Sequence, residues 1–144
     1  MSSVHKKAIV PYTPAQMYKL VNDVEAYPQF LPWCSGARVI SRTTQEVWAT
    51  VDINKGGVKK SFTTRNRLEP HRRINLRLVD GPFDRLEGAW HFIPQQGDGC
   101  QVELAMEFEF SSSMLRLVVG PVFQHIASTM VDAFCRRAAA LYGP

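Results

Sequence analysis

Four histidines and three cysteines are the side chains with which this chain could do covalent or metal chemistry. His5, His71, His91 and His125 fall on separate segments with no partner at ligand spacing, so no metal centre is expected. Cys34, Cys100 and Cys135 are odd in number and far apart, which predicts neither a disulfide framework nor a metal-spaced pair. No Gly-x-Ser-x-Gly, His-Glu-x-x-His or glycine-rich phosphate loop occurs. Cys34 would be a nucleophile if a distant histidine folded beside it. A buried free thiol next to Trp33 is the simpler reading, because free cysteines are commonly buried. No catalytic residue, no catalytic cofactor and no enzyme activity are therefore expected.

Charge offers a second kind of chemistry. Lys59, Arg65, Arg67, Arg73 and Arg77 occupy positions opposite in parity to the apolar sets Val58, Phe62, Leu68 and Ile74, Leu76, Leu78. If the apolar sets face inward, two consecutive strands display five cations on one outer surface. Such a surface fits RNA phosphates or an anionic membrane, with salt-sensitive affinity. A solvated face partly neutralised by Glu46 and Asp52 is the plain alternative. The formal net charge of +4 permits a polyanionic partner without demanding one.

Those residues need elements to position them. Thr13, Pro14 and Gln16 have the types of an N-cap, a first helical residue and a capping-box partner, and Met17, Leu20, Val21 and Val24 follow at helical spacing. Tyr27-Pro-Gln-Phe-Leu-Pro-Trp33 carries two prolines and predicts an ordered apolar loop or broken helical turn. Extended patterns dominate from 35 to 110, broken by Asn54-Lys-Gly-Gly57, Glu69-Pro70-His71, Asp80-Gly81-Pro82 and Gly97-Asp98-Gly99. The clearest runs through Val102, Leu104, Met106, Phe108 and Phe110 with Glu103, Glu107 and Glu109 opposite, so one face is buried and the other wet. From Ser113 the period becomes helical through Leu115, Val118, Val119, Val122, Phe123, Ile126, Met130, Phe134, Ala138 and Leu141. That helix should span roughly 40 Å, with Gly120-Pro121 bending or interrupting it. A short strand near Val4 to Val10 completes the order.

A hydrophobic share of 45% over 144 residues is enough for one globular domain with a real core, and one domain over 1–144 is expected. The N-terminus has no apolar run resembling a signal peptide, and no stretch approaches a membrane span of roughly 18 to 20 apolar residues. Reduced thiols and this start read as a cytoplasmic protein, one that touches a membrane at most peripherally.

A one-sided antiparallel sheet of six or seven strands must cover its apolar face, and the C-terminal helix is the element long enough to do so. A curved sheet cannot meet a straight rod along its whole length. A gap is therefore expected near one end, beside the Tyr27 to Trp33 segment. Its candidate lining is Phe30, Leu31 and Trp33 from that segment, Phe62, Leu76 and Leu78 from two strands, and Phe83, Leu86 and Trp90 from the next. Val118, Val122, Phe123 and Ile126 come from the helix. The indole N–H of Trp90 needs a partner if buried, and a ligand carbonyl is one candidate.

The order of elements, with Tyr27-Pro-Gln-Phe-Leu-Pro-Trp-Cys34 and Val79-Asp-Gly-Pro-Phe-Asp-Arg-Leu-Glu-Gly-Ala-Trp90, resembles the coenzyme Q-binding START-domain family, the RatA-like branch of the polyketide cyclase/START superfamily. Glu107-Phe-Glu-Phe110 and Val131-Asp-Ala-Phe-Cys-Arg-Arg137 extend the resemblance over nearly the whole chain. It implies an α+β helix-grip fold, a curved antiparallel sheet wrapped around a long C-terminal helix, with an internal apolar cavity. It also implies binding of coenzyme Q or another isoprenoid lipid in support of respiration. The alternative it implies is a regulator that binds the large ribosomal subunit and blocks subunit association. No DNA partner is expected.

Overall fold

The structure, a computed structural model, describes residues 2–143. Its elements follow in the order β1 (Ser2–Val10), α1 (Pro14–Asn22), a 3-10 helix (Val24–Gln29), β2 (Cys34–Arg42), β3 (Glu46–Lys55), β4 (Val58–Glu69), β5 (Arg73–Asp80), β6 (Phe83–Pro94), β7 (Cys100–Phe110) and α2 (Ser113–Tyr142). The seven strands form one antiparallel sheet in the order β1-β7-β6-β5-β4-β3-β2. Every link from β2 to β7 joins neighbours, while β1 crosses over to lie beside β7. The expected helix-grip architecture is present, with a curved sheet against one long helix.

Local chemistry accounts for the boundaries. Thr13 caps α1 through a full capping box: Gln16 N–H donates to Thr13 Oγ1 at 3.1 Å and Thr13 N–H to Gln16 Oε1 at 2.9 Å. The β3–β4 hairpin closes through Gly56 and Gly57, both at positive φ, as a two-residue loop that matches strand twist requires. Ser112 caps α2 by accepting from Leu115 N–H at 3.1 Å. At Gly88 the backbones of β6 and β7 come so close that a methyl group would overlap the Ala105 carbonyl oxygen and lie 2.8 Å from Met106 Cα.

Helix α2 differs from expectation in two ways. It runs through Gly120 and Pro121 without the interruption that was one of the two expected outcomes there, spanning about 45 Å for its 30 residues. Pro121 is exposed, so its ring lies on the solvent side of the helix instead of displacing core side chains. Its buried stripe is also narrower: Val119, Phe123, Ile126, Ala127, Val131, Phe134 and Ala138 are buried, whereas Val118 and Leu141 are 60% and 51% exposed. By length and apolar composition α2 could cross a membrane, although no such segment was expected. Here its stripe is spent on the sheet. The closest neighbours of α2 are β1 and β7, with β4 approached more sparsely.

Candidate functional site

The aromatic side chains build the core under α2. Phe123 meets Phe62, Phe83, Phe108 and Phe110, with ring centroids 4.8 to 6.3 Å apart. Further along, Phe134 meets Tyr27, Phe30 and Trp90 edge-on at 5.2 to 5.3 Å. These edge-to-face geometries suit the ring quadrupoles. Arg137 caps this second cluster, stacking 5.0 Å from the Phe30 ring and donating to Gln29 Oε1 at 3.0 Å.

The predicted cavity lining therefore sorts into three groups. Leu31, Trp33, Phe83, Leu86, Trp90, Phe123 and Ile126 are buried in the core. Phe30, Phe62, Leu76, Leu78 and Val122 are half-buried at its margin. Val118 points outward, a correction that follows from the narrow stripe of α2. The expected opening beside Tyr27 to Trp33 is closed, because Leu31 and Trp33 enter the core and Phe30 lies on Phe134. That segment is a plug. Trp90 stacks on Phe92 at 6.5 Å, and its indole N–H has no acceptor among the described residues.

The opening lies elsewhere. By register Leu68, Leu76 and Leu78 belong to the inner face, facing Ile74, Asn66 and Thr64 across the β4–β5 ladder. All three stay half-buried, since α2 runs over β1 and β7 and leaves this stretch without a roof. On the helix, Leu115, Val122 and Ala133 are half-buried along one flank. A methyl group on Gly56 would lie 3.6 Å from Val122, so that flank faces the β3–β4 hairpin. Together these residues border a half-open apolar trough between the helix flank and β4–β5. Within it, the inward positions Thr64 and Asn66 are polar and buried. The sequence reading passed over them, although they interrupt the apolar alternation of Phe62 and Leu68.

The outer face of the same strands holds the cations. Arg65, Arg67, Arg73 and Arg77 line a groove of about 1050 Å³ that Leu68 and Leu76 also border and whose floor includes Gly88 and Ala105, while Lys59 stands apart towards the β3–β4 hairpin. Arg65 Nε donates to Glu46 Oε2 at 2.7 Å, and this bond holds the Glu46 carboxyl below the usual carboxylate range. Arg77 lies 3.9 Å from Glu87, which Arg85 also binds. Asp52 instead pairs with Arg38 at 3.0 Å. Lys59, Arg67 and Arg73 form no salt bridge among the described residues. A smaller cleft of about 550 Å³, lined by Tyr18, Asn22, Arg42 and His71 among others, was not anticipated.

The cysteines carry no assembled catalytic group. Cys34, Cys100 and Cys135 are free thiols. Burial pushes all three up, Cys100 to about 11, the opposite of what a thiolate nucleophile needs.

A curved sheet gripping one helix, with an aromatic core and a half-open apolar flank, defines an α+β helix-grip binding domain. The chain belongs to the family described as polyketide cyclase / dehydrase and lipid transport, whose model matches residues 10–135. It is 48% identical over 143 residues to a protein of Vibrio cholerae (strain O395) named ribosome association toxin RatA, covering 99% of each chain. It is 27% identical to a Xenopus laevis protein named coenzyme Q-binding protein COQ10 homolog B, mitochondrial, covering 94% of this chain and 57% of that one. Among solved structures, the 18 kDa protein CC1736 of Caulobacter crescentus matches with a TM-score of 0.77 at 34% identity over the whole of both chains. The ZhuI aromatase/cyclase of a Streptomyces species shares the fold, with a TM-score of 0.84 at 16% identity over 95% of this chain and 93% of that one.

Proposed function

We propose that this chain is a carrier or chaperone for an isoprenoid quinone such as coenzyme Q, without enzyme activity of its own, working in the bacterial cytoplasm. The observation that carries this reading is the row Leu68, Leu76 and Leu78, turned inward and left half-open beneath no helix. An apolar ligand laid there covers surface worth about 25 cal/mol per Å². The family's lipid-transport description and the name of the Xenopus relative support the choice of ligand. Loading at an anionic bilayer would use Met114, Leu117 and Val118, exposed by 74%, 73% and 60%, in the turns of α2 that precede Val122, the residue beside the hairpin that carries Lys55 and Lys59. Organic extraction of the purified protein with mass spectrometry, and titration with a short-tailed ubiquinone followed by tryptophan fluorescence, test the reading. A protein that yields no quinone and binds none would sink it.

A second reading has its own observation: the outer groove of arginines, together with the ribosome-association name of a relative 48% identical. In it the chain binds the large ribosomal subunit through phosphate contacts and hinders subunit joining. Sucrose gradients decide it: the protein should move with large subunits at low salt and leave at high salt. Arg65→Glu with Arg77→Glu should abolish that co-migration, and an unchanged profile would reduce the groove to a solvated surface.

A further inference from the structure

The inner wall beside the trough is apolar except at two successive inward positions of β4. Thr64 faces Ala49 and Leu78 across its two ladders, and Asn66 faces Val47 and Leu76. Both are buried, at 8% and 7% exposure. Thr64 Oγ1 donates to Asn66 Oδ1 at 2.7 Å, which fixes the carboxamide and leaves its N–H groups without an acceptor among the described residues. Those N–H groups are not sealed off from solvent, and the residues beside Asn66 and Thr64 across the β5 ladder, Leu76 and Leu78, are themselves half-buried. An apolar pair here would stabilise the sheet more simply, because a largely buried amide gives up hydrogen bonds to water that nothing in the chain replaces. Apolar binding sites commonly place a few such groups to orient a polar head. Resting on the carrier reading above, we infer that Asn66, braced by Thr64, donates a hydrogen bond to a carbonyl oxygen of the ligand head, so that the trough selects quinone-headed lipids over plain hydrocarbons.

The test compares decylubiquinone with n-decylbenzene, which shares the tail and a ring but offers no carbonyl. Tryptophan fluorescence reports binding of each. The wild-type protein should prefer the quinone, and Asn66→Leu should weaken quinone binding about tenfold while leaving n-decylbenzene unchanged or tighter. The bound quinone's carbonyl stretch should move to lower frequency in the wild type and not in Asn66→Leu. Thr64→Val, which keeps shape and removes the brace, should give a smaller loss in the same direction, and it serves if Asn66→Leu does not fold. Equal affinity of wild type and variants for the quinone overturns this inference and leaves the carrier intact, as does a wild type that binds both molecules equally. A wild type that binds neither overturns the carrier reading itself.

Discussion

At the scale of single residues, the core is most concentrated at Phe83 and Phe123, since four other rings close on each. Phe123→Ala should cost about 3–5 kcal/mol in urea denaturation, through lost transfer energy and the cavity left behind. Cys100 gives a pH-dependent counterpart. Its thiol is raised from 9.0 to about 11, chiefly by burial, so the folded chain holds a proton that the unfolded chain releases. The stabilisation is whole below about pH 9 and is lost as pH rises towards about 11. Urea midpoints measured at about pH 8 and about pH 10.5 should fall further in the wild type than in Cys100→Ala. Thiol burial was legible from the chain, because Cys34 stands beside Trp33 and lacks any neighbour that would activate it. The sorting of Leu31 from Leu76 was not. Both are leucines in apolar runs, and what separates them is whether a distant helix passes overhead.

At the scale of elements, alternation in β7, the capping signature of α1 and the glycine hairpin between β3 and β4 all map directly onto structure, since each depends on neighbours in sequence. Helix α2 shows where local rules lose. Pro121 should break a helix, yet packing of the stripe from Val119 to Ala138 on the sheet outweighs one missing bond. Because Pro121 is exposed, Pro121→Ala should restore a backbone hydrogen bond without disturbing the core and raise the thermal midpoint by several degrees. An unchanged or lower midpoint would mean that the proline is favoured by the chain's own geometry. Gly88 is the reverse case. Its spacing in β6 predicts nothing, but a methyl group would strike β7, so Gly88→Ala should destabilise by about 2 kcal/mol or more in the same assay.

At the scale of the whole molecule, the fold class followed from the order and periods of the elements, whereas the position of the opening did not. It depends on α2 lying over β1 and β7, a choice made by the sum of many inner-face contacts rather than by any one segment. The outer arginines were readable by parity alone, but their pairing with Glu46 and Glu87 was only half foreseen. The anchoring of α2 is lopsided in the same way. Its last turns are tied by Arg137 to Gln29, by Tyr142 to the Gln16 carbonyl, and by the Tyr12 hydroxyl to the Gly143 carbonyl, while Met114, Leu117 and Val118 touch little but water. Amide hydrogen exchange should accordingly grade along the rod, fastest from Ser113 to Val118 and slowest around Phe134, so that the helix frays from one end like a door held firmly along a single jamb.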